Sequence, residues 1–281
     1  MPSINPSRRQ AFTLIEISLV LVVIGLLVGG TIVGQTMVHA AQIRNTLSAF
    51  EEYRVAAEVF SAQYDGLPGD LSDPAGFGLA STSAGTSMKG ATGTYANNNG
   101  FVESCATIPT NYAGYGVCGE AALFWKHLAQ AELIGGNYTV TDYDACAALS
   151  GSLILTTDHL PQVPLHNAFI HVSSYSAKNY FVLGHDKVND ATYCSTISKP
   201  VVTPAELYDM DVKIDDGVAT TGKIISLAEA RLPESAGGGS SSPDTAGGGN
   251  DCYDTDTNEY AISTDELANQ VACQFRVEAG F

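Results

Sequence analysis

The segment RRQAFTLIEISLVLVVIGLLVGG, residues 8 to 30, constrains this chain more than any other. From Ile17 to Gly34 no residue is charged. With Phe12 to Glu16 included, the apolar stretch reaches about 35 Å as a helix rising about 1.5 Å per residue, enough to cross a hydrocarbon layer of about 30 Å. A secretory signal peptide has a shorter apolar core followed by a small-x-small cleavage site, whereas here the small residues continue into helix-compatible sequence. Arg8 and Arg9 stand ahead of the span, so the positive-inside rule leaves the amino terminus in the cytoplasm and the bulk of the chain outside. Glu16 does not suit a plain anchor, because an ionised carboxylate is expensive to hold in lipid without a partner.

The helical pattern does not stop at the end of the span. HAAQIRNTLSAFEEYRVAAEVFSAQY, residues 39 to 64, contains no Pro or Gly. Ile43, Leu47, Phe50, Ala57, Phe60 and Tyr64 recur in it at the spacing of one helical face. Asp65-Gly66-Leu67-Pro68-Gly69 then supplies a stop. One helix from Phe12 to about Gln63 is expected, roughly 78 Å long, apolar all round in its first half and amphipathic in its second. Gly25 with Gly29, and Gly30 with Gly34, are small-x-x-x-small pairs that allow close helix packing in lipid.

Thirteen Lys+Arg against 30 Asp+Glu give a net charge of −17. Such a surface repels phosphate backbones and argues against a nucleic-acid partner. Cys105, Cys118, Cys146, Cys194, Cys252 and Cys273 all lie beyond the apolar run, with no C-x-x-C pair and no His at zinc-finger spacing. They are read as disulfides in an oxidising compartment. Sequence does not fix the pairing; the sequential set, 105 with 118, 146 with 194 and 252 with 273, would close three local loops.

Residues 65 to 119 are rich in Gly, Ser, Thr and Asn and read as loops. Glu120 to Ile134 reads as a helix ended by Gly135-Gly136, with Trp125 and His127 as packing residues. β-favouring runs at Leu153–Leu155, Ala168–Ser173 and Asn179–Leu183 predict an antiparallel sheet against the long helix. Thr203-Pro204-Ala205-Glu206 is a capping box with Pro at the first helical position, opening a helix to about Ile214. The fold class expected is α+β: a helical spine, transmembrane then amphipathic, packed against an antiparallel β-sheet head with extra helices and long loops.

Asp209, Asp211, Asp215 and Asp216 gather near the end of that last helix. Hard oxygen ligands at this density suit calcium, with Asp211 and Asp215 as candidate ligands; Asp215-Asp216-Gly217 equally suits a helix terminus and turn. Asp254, Asp256 and Asn258 have the alternating spacing that opens an EF-hand loop. Glu259 stands where that loop needs Gly, and its twelfth position lacks Glu, so a full EF-hand is excluded. An irregular calcium loop and a solvated acidic turn both remain. Ser235 to Asn250, SAGGGSSSPDTAGGGN, reads as a flexible loop inside the head. His159, His166 and His171 give a weak zinc signal. No phosphate-binding loop, Gly-x-Ser-x-Gly elbow or His-Glu-x-x-His helix is present, and no enzyme is read from the sequence.

Arg8 and Arg9 in a short basic leader, followed by Ala11-Phe12-Thr13-Leu14-Ile15-Glu16, resemble the type IV pilin and type II secretion pseudopilin superfamily, specifically so over about residues 8 to 64. The resemblance implies a leader at 1–11, a spine at 12–64 and an extracytoplasmic head at 65–281. It implies cleavage between Ala11 and Phe12 by prepilin peptidase and methylation of the new amine on Phe12. Ala11 departs from the usual Gly, and the span lacks the proline many pilins carry. Asp65-Gly66-Leu67-Pro68-Gly69-Asp70, Phe124-Trp125-Lys126-His127-Leu128 and Lys213-Ile214-Asp215-Asp216-Gly217 are similar to stretches of large-headed pseudopilin-like proteins. Related pseudopilins bind calcium in carboxy-terminal loops, which bears on Asp254, Asp256 and Asn258.

The expected function is therefore that of a structural subunit in a pilus or pseudopilus. Its partners would be other such subunits, the peptidase and the assembly platform of the bacterial inner membrane. Glu16 is the candidate assembly residue, paired with the α-amine of Phe12 and with neighbouring amines. A minor priming or tip subunit is the alternative within this class, and a membrane-tethered periplasmic enzyme is the rival from another.

Overall fold

The computed structural model of the protein describes residues 13–81, 98–103, 119–139, 153–154, 156–184, 187–188, 200–226, 252–254, 257–262, 271 and 273–281. Contacts divide the chain into Met1–Gln42 and Ile43–Phe281. Helix α1 runs from Leu14 to Tyr64. It is followed by α2 (Gly119–Gln130), β1 (Leu153–Ile154), β2 (Phe169–Tyr175), β3 (Lys178–Gly184), β4 (Lys187–Val188), α3 (Pro204–Ile214), β5 (Ile224–Ser226) and β6 (Phe275–Glu278). The result is an α+β protein with one long amino-terminal helix. Its main sheet is antiparallel in the order β2-β3-β6-β5, and β1 pairs with β4 alone.

The helical spacing read from sequence becomes the seam of the core. Ile43, Phe50, Ala57 and Phe60 are buried, with Leu47, Tyr53 and Tyr64 packed beside them. Across the sheet, Val172, Phe181, Val277 and Ile224 lie opposite one another in register. Directly opposed residues share a face, and this row is the one that meets α1. The Phe50 ring stands 6.0 Å from Phe181 and 6.5 Å from Phe275. On α2, Trp125 meets Tyr53 edge-on at 5.0 Å, and Phe124 stacks on Phe281 at 5.7 Å. Burying an aromatic or branched aliphatic side chain contributes about 1.5–3 kcal/mol each, so this cluster is the main support of the head. The alternate row, His171, Val182, Arg276 and Ile225, faces away from α1.

Three local features explain element boundaries. Thr203 and Glu206 form the capping box: the Glu206 amide donates to Thr203 Oγ1 at 3.2 Å and the Thr203 amide donates to Glu206 Oε2 at 2.7 Å. α2 ends four residues before the expected Ile134. Glu132 takes a left-handed conformation (φ 60°), its amide donates to Ala129 O, and the Leu133 amide donates to Leu128 O. That is a Schellman closure with Glu where Gly is usual, so the stop precedes Gly135-Gly136. The β2–β3 hairpin turns at Ser176 and Ala177, both with positive φ (50° and 62°), the backbone that a two-residue turn between twisted strands needs.

The Leu67-Pro68-Gly69-Asp70 stretch, read from sequence as part of the stop that ends α1, also organises one end of the head. Gly69 has φ 88° and its α-carbon faces the Glu120 carbonyl so closely that no side chain fits there. Its amide donates to His127 Nδ1 at 2.9 Å, so His127 Nε2–H donates to the Ala80 carbonyl at 2.7 Å. Buried Asp70 accepts the amides of Asn98 and Gly100, both at 2.8 Å. Asn179 accepts the Val102 amide at 2.9 Å and donates to the carbonyls of Gly100 and Phe281, each at 3.0 Å.

Candidate functional site

Two places carry chemistry. The first is the amino-terminal part of α1. Its mean hydropathy reaches 2.6, it is long and apolar enough to cross a membrane, and that window is not buried. Leu14 through Val38 exposes Leu, Ile, Val and Met on every side, which a helix facing water on one side never does. Gly25, Gly29, Gly30 and Gly34 have open space where a side chain would stand, as close helix packing requires.

Glu16 is exposed in the first turn of this helix. Its amide donates to the Thr13 carbonyl at 3.1 Å and lies 3.4 Å from Thr13 Oγ1, so Thr13 caps the helix. A carboxylate in the first turn gains from the helix dipole, by about 0.3–1 kcal/mol. Moving a carboxylate into lipid costs at least about 2.5–3.5 kcal/mol. Capping alone therefore does not offset burial of an ionised Glu16 in an apolar environment; pairing with a cation or uptake of a proton would. Ala11 and Phe12 lie outside the described residues.

The second place is the carboxy-terminal end of α3. One carboxylate oxygen from each of Asp211, Asp215 and Asp216 lies within 4.8 Å of the others, and exposure increases from buried Asp211 to exposed Asp216. Asp215 Oδ2 accepts the backbone amides of Lys223 and of Ile224, the latter at 3.0 Å. Asp216 accepts the Val218 amide at 2.9 Å and the Thr221 hydroxyl at 2.7 Å, which holds the carboxyl below the usual carboxylate range. Gly217, φ 77°, makes the turn between them. The helix-terminus reading is thus realised in detail. Asp211 differs from its neighbours. Its Oδ2 accepts the Tyr260 hydroxyl at 2.8 Å, while its Oδ1 is buried with no hydrogen-bond partner. Burial pushes its pKa up to about 6, against the opposing pull of the Tyr260 hydroxyl and the Gly217 amide; the charges of Asp215 and Asp216 push the same way.

Asp254 and Asn258 form a tight turn that is tied to the end of α3, the Ala219 amide donating to the Asn258 carbonyl at 3.3 Å. The Asn258 amide donates to the Asp254 carbonyl at 2.8 Å, the Asp254 amide donates to the Glu259 carbonyl at 2.8 Å, and the Thr257 amide donates to Asp254 Oδ1 at 3.3 Å. Asp256 lies outside the described residues, as does the 235–250 loop. Cys252 and Cys273 form a disulfide, the third of the expected pairs; Cys105, Cys118, Cys146 and Cys194 lie outside the described residues. The three histidines have separate surroundings. His166 Nε2 meets Glu206 Oε1 at 2.9 Å and His159 Nδ1 meets Thr156 Oγ1 at 2.9 Å. His171 is buried on β2, its pKa pushed down to about 3 by burial. Tyr260 is the residue that sequence reasoning missed: it is 49 positions from Asp211, and no local pattern links the two. No family model, curated protein or solved structure matches this chain.

Proposed function

We propose that this chain is a structural subunit, a pilin or pseudopilin, of a type IV pilus or type II secretion-like filament. The observation that carries the reading is α1, a single helix from Leu14 to Tyr64 whose residues are exposed and apolar before Gln42 and built into a head core from Ile43 onward. An anchor has no need of a helix that continues as the spine of its own domain. A filament subunit does, because the same helix then serves insertion, packing and support of the head.

The chain enters the inner membrane with its amino terminus in the cytoplasm and its head in the periplasm, where the Cys252–Cys273 disulfide can form. Prepilin peptidase cuts between Ala11 and Phe12 and methylates the new amine. Glu16 sits one helical turn from that amine, the spacing at which side groups meet. A neighbouring subunit's amine meets it only at the correct axial register. Unpaired charge in lipid is costly and paired charge is tolerated, so the pair selects register. The assembly platform then draws subunits from the membrane into the filament. A net charge of −17 keeps heads soluble and makes nucleic acid an unsuitable partner. The extent of the head, residues 65 to 281, favours a second reading within the class, a minor subunit that primes the filament or stands at its tip.

Mass spectrometry of the protein from membranes or sheared filaments tests this. A mature chain beginning at methylated Phe12 supports the proposal; an intact leader on stable, membrane-inserted protein removes it.

A further inference from the structure

The face of the sheet turned away from α1 carries an arginine whose charge the chain itself does not use. Arg276 stands on β6 opposite Val182, and its guanidinium carbon lies 4.3 Å from the centre of the Tyr175 ring and 4.5 Å from that of Tyr180. The two rings hold the cation in place, yet neither supplies an acceptor oxygen to its N–H donors. Arg276 Nε is buried with no hydrogen-bond partner. Glu278, two positions along β6 and on the same face, is committed to Lys178 at 2.8 Å. Arg54 and Lys213 also have carboxylate partners, whereas Arg276 is fixed in position and meets no carboxylate among the described residues.

A carboxylate supplies what is missing. The guanidinium fork matches a carboxylate in two parallel N–H···O bonds, which are stronger than bonds between neutral groups. Fixing the cation on tyrosine rings beforehand lowers the side-chain entropy that such a contact otherwise costs. Arg and Tyr are also residue types on which interfaces concentrate their binding energy. The clamp is within reach of another protein: Tyr175 is 38% exposed, and Ser176, Ala177 and Lys178 at the tip of the β2–β3 hairpin are exposed. The partner must offer carboxylates, and this chain does so itself, with 30 Asp+Glu against 13 Lys+Arg and exposed acids such as Glu132 and Asp158. Repulsion between two acidic heads is screened beyond about 8 Å in physiological salt, whereas the clamped pair acts in contact.

We propose that Tyr175, Tyr180 and Arg276 form a docking site for an Asp or Glu side chain on the head of a second copy of this chain. The clamp has no carboxylate of its own to spare, so the contact joins two different patches. Such a contact repeats from copy to copy and, where its rotation does not close a ring, builds a helical filament. The proposal rests on the filament reading and adds which surface of the head meets its neighbour.

Photo-cross-linking of the full chain in its membrane tests it, with p-benzoylphenylalanine replacing exposed Ser176 or, as a reference, Leu21 in the apolar part of α1. Both positions should yield a covalent dimer, and mass spectrometry should place the Ser176 cross-link beside an Asp or Glu of the second copy's head. Arg276→Gln should lower the Ser176 dimer about tenfold or more, as loss of a charge-assisted bond does, and leave the Leu21 dimer unchanged. Arg276→Lys keeps the stem and the charge, so it serves if Arg276→Gln fails to fold. It should still lower the Ser176 dimer, because an ammonium lacks the fork. A Leu21 dimer without a Ser176 dimer, a Ser176 cross-link to another protein, or wild-type yield in Arg276→Gln overturns this proposal alone. Absence of both dimers overturns the filament reading with it.

Discussion

Before Gln42, α1 leaves Leu19, Leu21, Leu26 and Leu27 63–74% exposed; after it, the same helix buries Ile43, Phe50 and Phe60 to 4% or less. The backbone carries through while charge enters, with Arg44, Glu51, Glu52, Arg54 and Glu58 in the later part, so the parts differ both in apolar content and in where the apolar residues point. The later part concentrates them in one stripe, which a one-sided head can cover. In the earlier part they surround the helix, which only lipid or other helices can cover. One secondary-structure element can thus belong to two solvents, and the angular spread of its side chains says where the change occurs.

The sharpest way to break the comparison is at Glu16, the residue that obeys neither rule. Glu16→Ala should still insert in the membrane, but under the proposed pairing it would leave the partner amine without its carboxylate at a buried contact. Such a loss costs about 3–5 kcal/mol, two orders of magnitude or more in subunit association. Membrane fractionation and quantitation of sheared filaments check this; wild-type filament yield would remove the assembly role. Phe50→Ala should cost about 3–5 kcal/mol of head stability by opening a cavity against Phe181 and Phe275, measured by denaturant unfolding in micelles. Leu21→Ala, an equivalent truncation before Gln42, should leave the same transition in place. Replacing Cys252 and Cys273 together by Ser should cost about 3 kcal/mol, because the loop they close spans 21 positions; Leu21→Ala again serves as the unaffected reference.

Acid should weaken the head. His171, buried, has its pKa pushed down to about 3, and burial also lowers that of His127. The unfolded chain takes up these protons near pH 6.5, well above the folded state, so the histidines' contribution is full above about pH 6.5 and declines as pH falls toward 3, while Asp211, raised to about 6, takes up its proton first in the folded state and offsets part of that loss. The slope should not exceed about 1.4 kcal/mol per pH unit for each histidine. His171→Leu should flatten it, as read by melting at pH 7, 5.5 and 4.5. The smallest effect is a gain: Glu132→Gly should stabilise the head by about 1 kcal/mol by relieving the left-handed conformation at the end of α2, a shift of a few degrees in the melting midpoint.

What sequence revealed and what it hid divide along the same line. α1, α3 and the β2–β3 pair were legible because their signals are local: an uninterrupted helical run, the Thr203-Pro204-Glu206 cap, and apolar runs bounded by turns. β5 and β6 were not read. Ile224–Ser226 is short, and Phe275–Glu278 becomes a strand by pairing with β3, nearly a hundred positions away, and with β5. α2 ended early because Glu132 adopts a conformation that sequence assigns to Gly. In the acidic cluster the aspartates were visible as composition, while the contrast between Asp211 and its neighbours came from Tyr260, a partner set by tertiary packing.

Asn179 holds one more consequence. Its side chain joins Gly100, Val102 and Phe281, and its carbonyl accepts the Ala279 amide at 2.9 Å. Segments far apart along the chain therefore share one opening event. In native-state hydrogen exchange the Val102 and Ala279 amides should become labelled together, with a single opening free energy. The 98–103 segment, though it belongs to no helix or strand, should be as slow to exchange as the β3 residue it is fastened to.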